Sequence, residues 1–260
     1  MASLIKNYYG KLIDLEKPTL LYKKDDYEIY WLGIDNETAF RCNAYLIKSG
    51  NEVILIDPGS KSFFNKVKQR VSQVVDPLLV ANIIISHQDP DIAASMVDWL
   101  DLNPNINIIT SQRTNILITH YGKSNYNFYD IDKQNEYIFK NGNNLSFVTS
   151  PYLHSPGAFT TYDLTSKFLF SSDIWAALDI DWKLIVEDFN VHKEFMNLFH
   201  KDYMASNLAA RGYIRKIEDL KINAILPQHG SIISKKHVLK ALKYLKTLQC
   251  GTDIIYADIS

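Results

Sequence analysis

Apolar residues along this chain gather in short, nearly continuous runs more often than in long amphipathic stretches. YEIYWLG (27–33), TAFRCNAYLIK (38–48) and EVILID (52–57) follow one another, and ANIIIS (81–86) and INIIT (106–110) repeat the style. Runs of this length, bounded by turn residues, predict buried strands. Asp57-Pro58-Gly59 ends one of them, and Ser60 is placed to cap a helix through Phe64, Val67 and Val71. Met96, Val97, Leu100 and Leu102 predict a further helix between two strands.

In the second half LSFVTS (145–150), FTTYDLT (159–165) and KFLFSS (167–172) predict strands. A long helix then places Val191, Phe195, Leu198 and Phe199 on one face. NAILP (223–227) is another short strand, and Val238, Leu242, Leu245 and Leu248 mark a last helix. The order is β-rich then βα, and again β-rich then α. It predicts an α/β fold, an αββα sandwich of two packed mixed β-sheets with helices on the outer faces. No repeat, low-complexity tract or Pro/Gly-rich linker divides the chain, so residues 1–260 are expected to form a single domain.

A net charge of −1 over 260 residues offers no concentrated basic face for nucleic acid or an anionic membrane. Lys235, Lys236, Lys240, Lys243 and Lys246 recur at helical spacing and read as a solvated helix face. No apolar run approaches the ~18 residues needed to span a bilayer, and the N-terminus lacks the pattern of a signal peptide. Cys42 and Cys250 are isolated thiols without metal-type spacing; they suggest a reducing compartment, so the cytoplasm is expected.

Several predicted strands end on polar residues that bind metals. His87 follows IIIS, Asp173 follows FLFSS and His229 follows AILP. Strand ends sharing one sheet edge can converge in space. In His87-Gln88-Asp89-Pro90-Asp91, alternate residues of an extended segment would face one side, and Pro90 biases Asp89 toward that conformation. The same segment also reads as a polar loop whose Asp91 caps the next helix. With His154 in YLHSPG, the joint occurrence favours a two-metal site of His87, Asp89, Asp91, His154, Asp173 and His229. Three carboxylates within ~4 Å would repel by about 4 kcal/mol per pair at an effective dielectric near 20. Cations remove that cost, and hard oxygen donors beside imidazoles suit iron.

The series NAYLI, VILIDPGS, SHQDPD, LHSPGAFTTYD, FLFSSD and LPQHG resembles the metallo-β-lactamase superfamily, and within it the diiron domain of flavodiiron proteins, over nearly the whole chain. The resemblance implies two iron ions: the first held by His87, Asp89 and His154, the second by Asp91 and His229, with Asp173 bridging. Asp57 resembles the family's aspartate that orients ligands by hydrogen bonding, its alternative being a simple turn residue. The hydrolytic zinc branch carries His-x-His-x-Asp-His, where this sequence has Asp89 and Ile92. Flavodiiron proteins usually have Glu at the Asp89 position. No Gly-rich phosphate loop follows a strand, so FMN is not expected in this chain. Standalone domains of this kind are similar to oxygen-binding diiron proteins thought to sense O₂.

Ile92 is expected beside an open position on the second ion, and Tyr152, Phe159 and Trp175 are expected to line an apolar pocket favouring O₂ or NO. His120 is a candidate for the cavity rim; His192, His200 and His237 are assigned to packing or surface. Ser86 and Ser155 lack a free base and are set aside as nucleophiles. Three functions follow: an O₂-binding sensor, an O₂ or NO reductase fed by a separate flavoprotein or rubredoxin, and a dinuclear hydrolase. The expected partners are the gas, a signalling protein or electron donor, and a second copy in a homodimer.

Overall fold

The computed structural model describes residues 3–34, 40–180 and 182–259. Among them, seven strands lie side by side in chain order: β1 (Thr19–Lys24), β2 (Tyr27–Ile34), β3 (Asn43–Ser49), β4 (Glu52–Ile56), β5 (Val80–Ile84), β6 (Asn107–Thr110) and β7 (Asn127–Asp130). The first four are antiparallel, and β4 through β7 are parallel. The second sheet holds β8 (Glu136–Ile138), β9 (Asn144–Thr149), β10 (Phe159–Asp163), β11 (Phe168–Ser172), β12 (Ala224–Pro227) and β13 (Ile233–Ser234), ordered β13-β12-β11-β10-β9-β8. Within it only β11 and β12 run parallel.

β4 explains why the strongest strands read as unbroken apolar runs. Side chains alternate across a strand, so Ile54 and Ile56 meet the second sheet while Val53 and Leu55 meet helices outside. α1 (Phe64–Ser72), α2 (Pro90–Ala93), α3 (Met96–Leu102) and α4 (Gln112–Ile118) contribute Val67, Ile92, Trp99 and Ile118 to that outer layer. α5 (Phe189–Tyr203), α6 (Asn207–Ile217) and α7 (Lys235–Thr247) cover the second sheet through Met196, Tyr213 and Ala241, and α8 (Thr252–Ile255) follows. The architecture is the four-layer αββα sandwich. No helix among the described residues is long and apolar enough to cross a membrane.

Two expectations change. The strand expected over 38–48 begins only at Asn43; residues 38 and 39 lie outside the described residues. On α5 the buried face is Phe189, His192, Met196, Phe199 and His200, whereas Val191 is 58% and Leu198 52% exposed. Two neutral histidines take places that an apolar pattern assigns to aliphatic residues. Burial pushes both imidazoles down to about 4, so they enter the core uncharged.

Candidate metal centre

The parallel pairs β4/β5 and β11/β12 put four chain exits at one edge of the sandwich. Asp57 leaves β4, His87 follows β5, Asp173 follows β11 and His229 follows β12. Asp57 and Ser172 both take left-handed backbone (φ 49° and 54°), a conformation uncommon outside glycine, and one that clusters at functional sites. Gly230, at φ 87°, sits where a Cβ would come within 2.8 Å of the Ala177 Cβ, so only glycine lets the chain leave His229 at this approach.

Asp173 lies at the middle. Its Oδ2 is 3.1 Å from His87 Nε2 and 2.9 Å from His154 Nε2, while its Oδ1 faces His229 Nε2 at 3.2 Å. Asp89 Oδ2 completes the first group, 3.3 Å from His154 Nε2 and 3.7 Å from His87 Nε2. Asp91 Oδ2 stands in the second, 3.5 Å from His229 Nε2. All six sequence-selected residues thus meet. The expected route differs for Asp91. Asp89 is extended (ψ 148°), but Pro90 opens a helical turn that carries Asp91. That turn swings Asp91 from the first group to the second.

The charges are strongly coupled. Burial alone would raise Asp173; the imidazoles of His87, His154 and His229 outweigh it and hold the carboxyl well below its usual range. Burial likewise opposes the His154 cation, yet hydrogen bonds to Asp173 and Asp89 lift it to about 9. Among the six residues, three buried atoms make no hydrogen bond of good geometry: His87 Nε2, Asp173 Oδ1 and His229 Nδ1, the first two held only by ion-pair contacts at 3.1 and 3.2 Å. An orphaned donor-set atom in each group, among three imidazoles and three carboxylates, fits a pair of hard-to-borderline cations.

Behind the cavity a relay fixes one imidazole. Asp57 accepts from the Ser86 backbone N–H at 2.9 Å and from Ser86 Oγ at 3.0 Å. Ser86 and Ser172 hydroxyls lie 2.7 Å apart, and Ser172 Oγ is 3.0 Å from His87 Nδ1. With the Ser86 proton given to Asp57, the chain runs consistently if His87 Nδ1–H donates to Ser172, which leaves Nε2 as a lone-pair donor. Burial pushes Asp57 up to about 6.

The cavity, about 330 Å³, is lined by Phe40, Cys42, Ser60, Asp89, Pro90, Asp91, His154, Asp173, Phe199, Tyr203 and His229. The aromatic wall is therefore not the expected one. Phe159 is fully buried between the sheets, and Trp175 is fully buried against the outer helices, its Nε1 donating to Ala241 O at 2.9 Å. Tyr152 is half-exposed on a separate surface hollow with Ala205 and Lys216. Adjacency to a ligand in sequence misled because Tyr152 and Trp175 lie in turns with left-handed backbone (φ 66° for both), which breaks the alternation a strand would keep. Ile92 also differs: it is fully buried in the outer apolar layer with Phe63 and Met96. His120 is absent from the lining.

Cys42 is what the sequence reading passed over. Its Sγ lies 3.2 Å from Phe40 O and 3.4 Å from Asp91 Oδ2, either of which can accept its one proton, and Cys42, Asp91 and His229 place their ligand atoms within 4.8 Å of one another. Its one sequence signal is its position just ahead of NAYLI, a motif read for its strand and for the family resemblance.

A family model described as "ODP family beta lactamase" matches residues 40–230. A solved structure titled "Peroxy diiron species of chemotaxis sensor ODP" is 32% identical, covers 93% of this chain and 99% of its own, and superposes with a TM-score of 0.82. The apo state of chemotaxis sensor ODP from T. denticola is also 32% identical, covering 93% of this chain and 98% of its own, at a TM-score of 0.80. The flavo-diiron protein FprA2 of Clostridium acetobutylicum is 25% identical over 206 residues, 77% of this chain and 51% of that protein. The chain spans about a third to a half of the length of the curated relatives it matches.

Proposed function

We propose, from the premise that this chain belongs to the ODP family of β-lactamase-fold proteins, that it is a non-haem diiron protein that binds O₂ and reports it as a chemotaxis-type sensor. One observation carries the reading: the two oxygens of Asp173 face two separate ligand groups, the arrangement a bridging carboxylate requires. The likeness to the chemotaxis sensor, spanning 99% of that chain, supports it.

In this reading His87, Asp89 and His154 hold one iron, Asp91 and His229 hold the other, and Asp173 joins them. When bound, the iron pair supplies the electrons for chemistry with a diatomic gas. The chain's own residues do the rest. The Asp57–Ser86–Ser172 relay keeps the His87 ring aimed inward. Phe40, Phe199 and Tyr203 give the cavity an aromatic wall that favours a small uncharged ligand over a charged substrate. Residues 1–260 act as one domain, with a signalling protein as partner and a homodimer as an available assembly. No disulfide joins Cys42 and Cys250, which supports the cytoplasm.

The likeness to a flavo-diiron protein supports a second reading, an O₂ or NO reductase supplied by a separate flavoprotein or rubredoxin. Anaerobic reconstitution with iron, elemental analysis and optical spectra on mixing with air separate the two. About two irons per chain and a lasting visible band are expected of the sensor. Rapid gas consumption that persists only with an added donor would establish the reductase. An iron-loaded protein whose spectrum ignores both O₂ and NO would sink both readings.

A further inference from the structure

The second ligand group is short of donors on the side where Ile92 turns away. Apart from Asp173, the sequence-selected residues offer it only Asp91 and His229. A thiol stands within reach of the same group. Cys42 Sγ lies 3.4 Å from Asp91 Oδ2, Asp91 Oδ2 lies 3.5 Å from His229 Nε2, and His229 Nε2 lies 3.2 Å from Asp173 Oδ1. Ligands bound to one ion at about 2.0–2.3 Å stand roughly 3.0–3.6 Å apart. The spacings are those of neighbouring vertices of one coordination shell.

The backbone holds this thiol against the rest of the group. Cys42 forms an isolated antiparallel bridge with His229. The next residue, Asn43, gives its N–H to Gln228 O at 2.6 Å and its side-chain amide to Pro227 O and Gly230 O, both at 2.9 Å. Trp31 Nε1 donates to the Asn43 Oδ1 at 2.8 Å and locks the amide in place. Cys42 and His229 are therefore presented as one rigid unit, both almost wholly buried. A second observation points at a ligand independently of the thiol. Asp173 Oδ1, on a residue only 3% exposed, faces this group and makes no hydrogen bond of good geometry, its contact with His229 Nε2 at 3.2 Å being an ion-pair contact only.

We infer that Cys42 is a ligand of the second metal ion, filling with sulfur the place that a histidine at position 92 takes in the hydrolytic pattern. As the sulfur–metal bond forms, the thiol proton, held between Phe40 O and Asp91, leaves for solvent, and Asp91 can bind the same ion. No electron is transferred in this step. The inference rests on the diiron reading and adds a soft donor to one of its two ions. The two positions then differ in chemistry: nitrogen and oxygen only in the first, sulfur included in the second.

The test uses cobalt(II) as an optical probe, added stepwise to the metal-free protein, with bound metal counted at each step. A thiolate-to-cobalt charge-transfer band in the near ultraviolet is expected in the wild type and in Cys250→Ala. Cys42→Ser should lose the band and bind one of its two equivalents more weakly by about tenfold or more. Should Cys42→Ser not fold, zinc-edge absorption on the zinc-loaded wild type replaces it and should show sulfur at about 2.3 Å. Two bound metals with no thiolate band, or a band that survives Cys42→Ser, would overturn the ligand and leave the dinuclear site standing. Binding of fewer than two metals would overturn the dinuclear reading, and Cys42 as a second-ion ligand with it.

Discussion

At the residue scale, the metal-free site stores its stability in ion pairs that a metal must displace. His154 is held at about 9 against an ordinary 6.5, and His87 well above 6.5, once their pairing with Asp173 has overcome burial. A raised histidine contributes stability in full below its unfolded value and loses it as pH rises through the folded one. The melting temperature of chelated protein should therefore fall between about pH 6.5 and 9. Asp57, pushed up to about 6, is mostly ionised above pH 7 and adds a slope of the same sign only at the lower end of that window. The loaded protein should show the opposite sign, gaining stability as pH rises, because only neutral imidazoles bind metal. Differential scanning calorimetry from pH 6 to 9.5, with and without metal, checks both signs. Asp173→Ala should flatten the metal-free slope; an unchanged slope would show that these pairs do not couple. The convergence of His87, Asp89, Asp91, His154, Asp173 and His229 was legible because strand ends on a shared edge meet. Cys42 was not, because its nearness to His229 comes from a bridge between segments far apart in sequence.

At the element scale, the strands read most clearly where both faces are buried. β4, β5, β11 and β12 are nearly solid apolar runs, and these four position the site. The edge strands β1, β7, β8 and β13 were not anticipated: they are short or half-exposed, and their polar positions break any period. The helix α4, with the exposed Ile116 and Leu117, was missed for the same reason. On α5 the misread face makes a direct experiment. Met196 is fully buried and Leu198 half-exposed. Met196→Ala should cost about 2–5 kcal/mol, whereas Leu198→Ser should stay within about 0.5 kcal/mol. Urea unfolding of both variants measures the contrast, and comparable losses would restore the face expected from the apolar pattern.

At the scale of the whole molecule, the sandwich brings its chemistry to one edge and leaves α5 as the wall between that edge and the outside. Phe199 and Tyr203 look into the cavity from this helix. Lys193, Asn197 and Lys201 look outward from it, into a groove shared with Lys240 and Lys243 of α7. The turn after Asp173 is fastened to the same helix. The Trp175 N–H donates to His200 Nε2 at 2.8 Å and the Leu178 N–H to Phe195 O at 3.2 Å. α5 thus joins the turn after the central carboxylate to a surface that carries Lys193, Lys201, Lys240 and Lys243. In the proposed sensor, a displacement of Asp173 is expected to pass along this helix. Hydrogen exchange on the iron-loaded protein, before and after admission of O₂, should change amide protection along residues 189–203 and leave β2 to β4 untouched. Protection that changes everywhere alike, or nowhere, would mean that the gas site speaks to the surface by some other route.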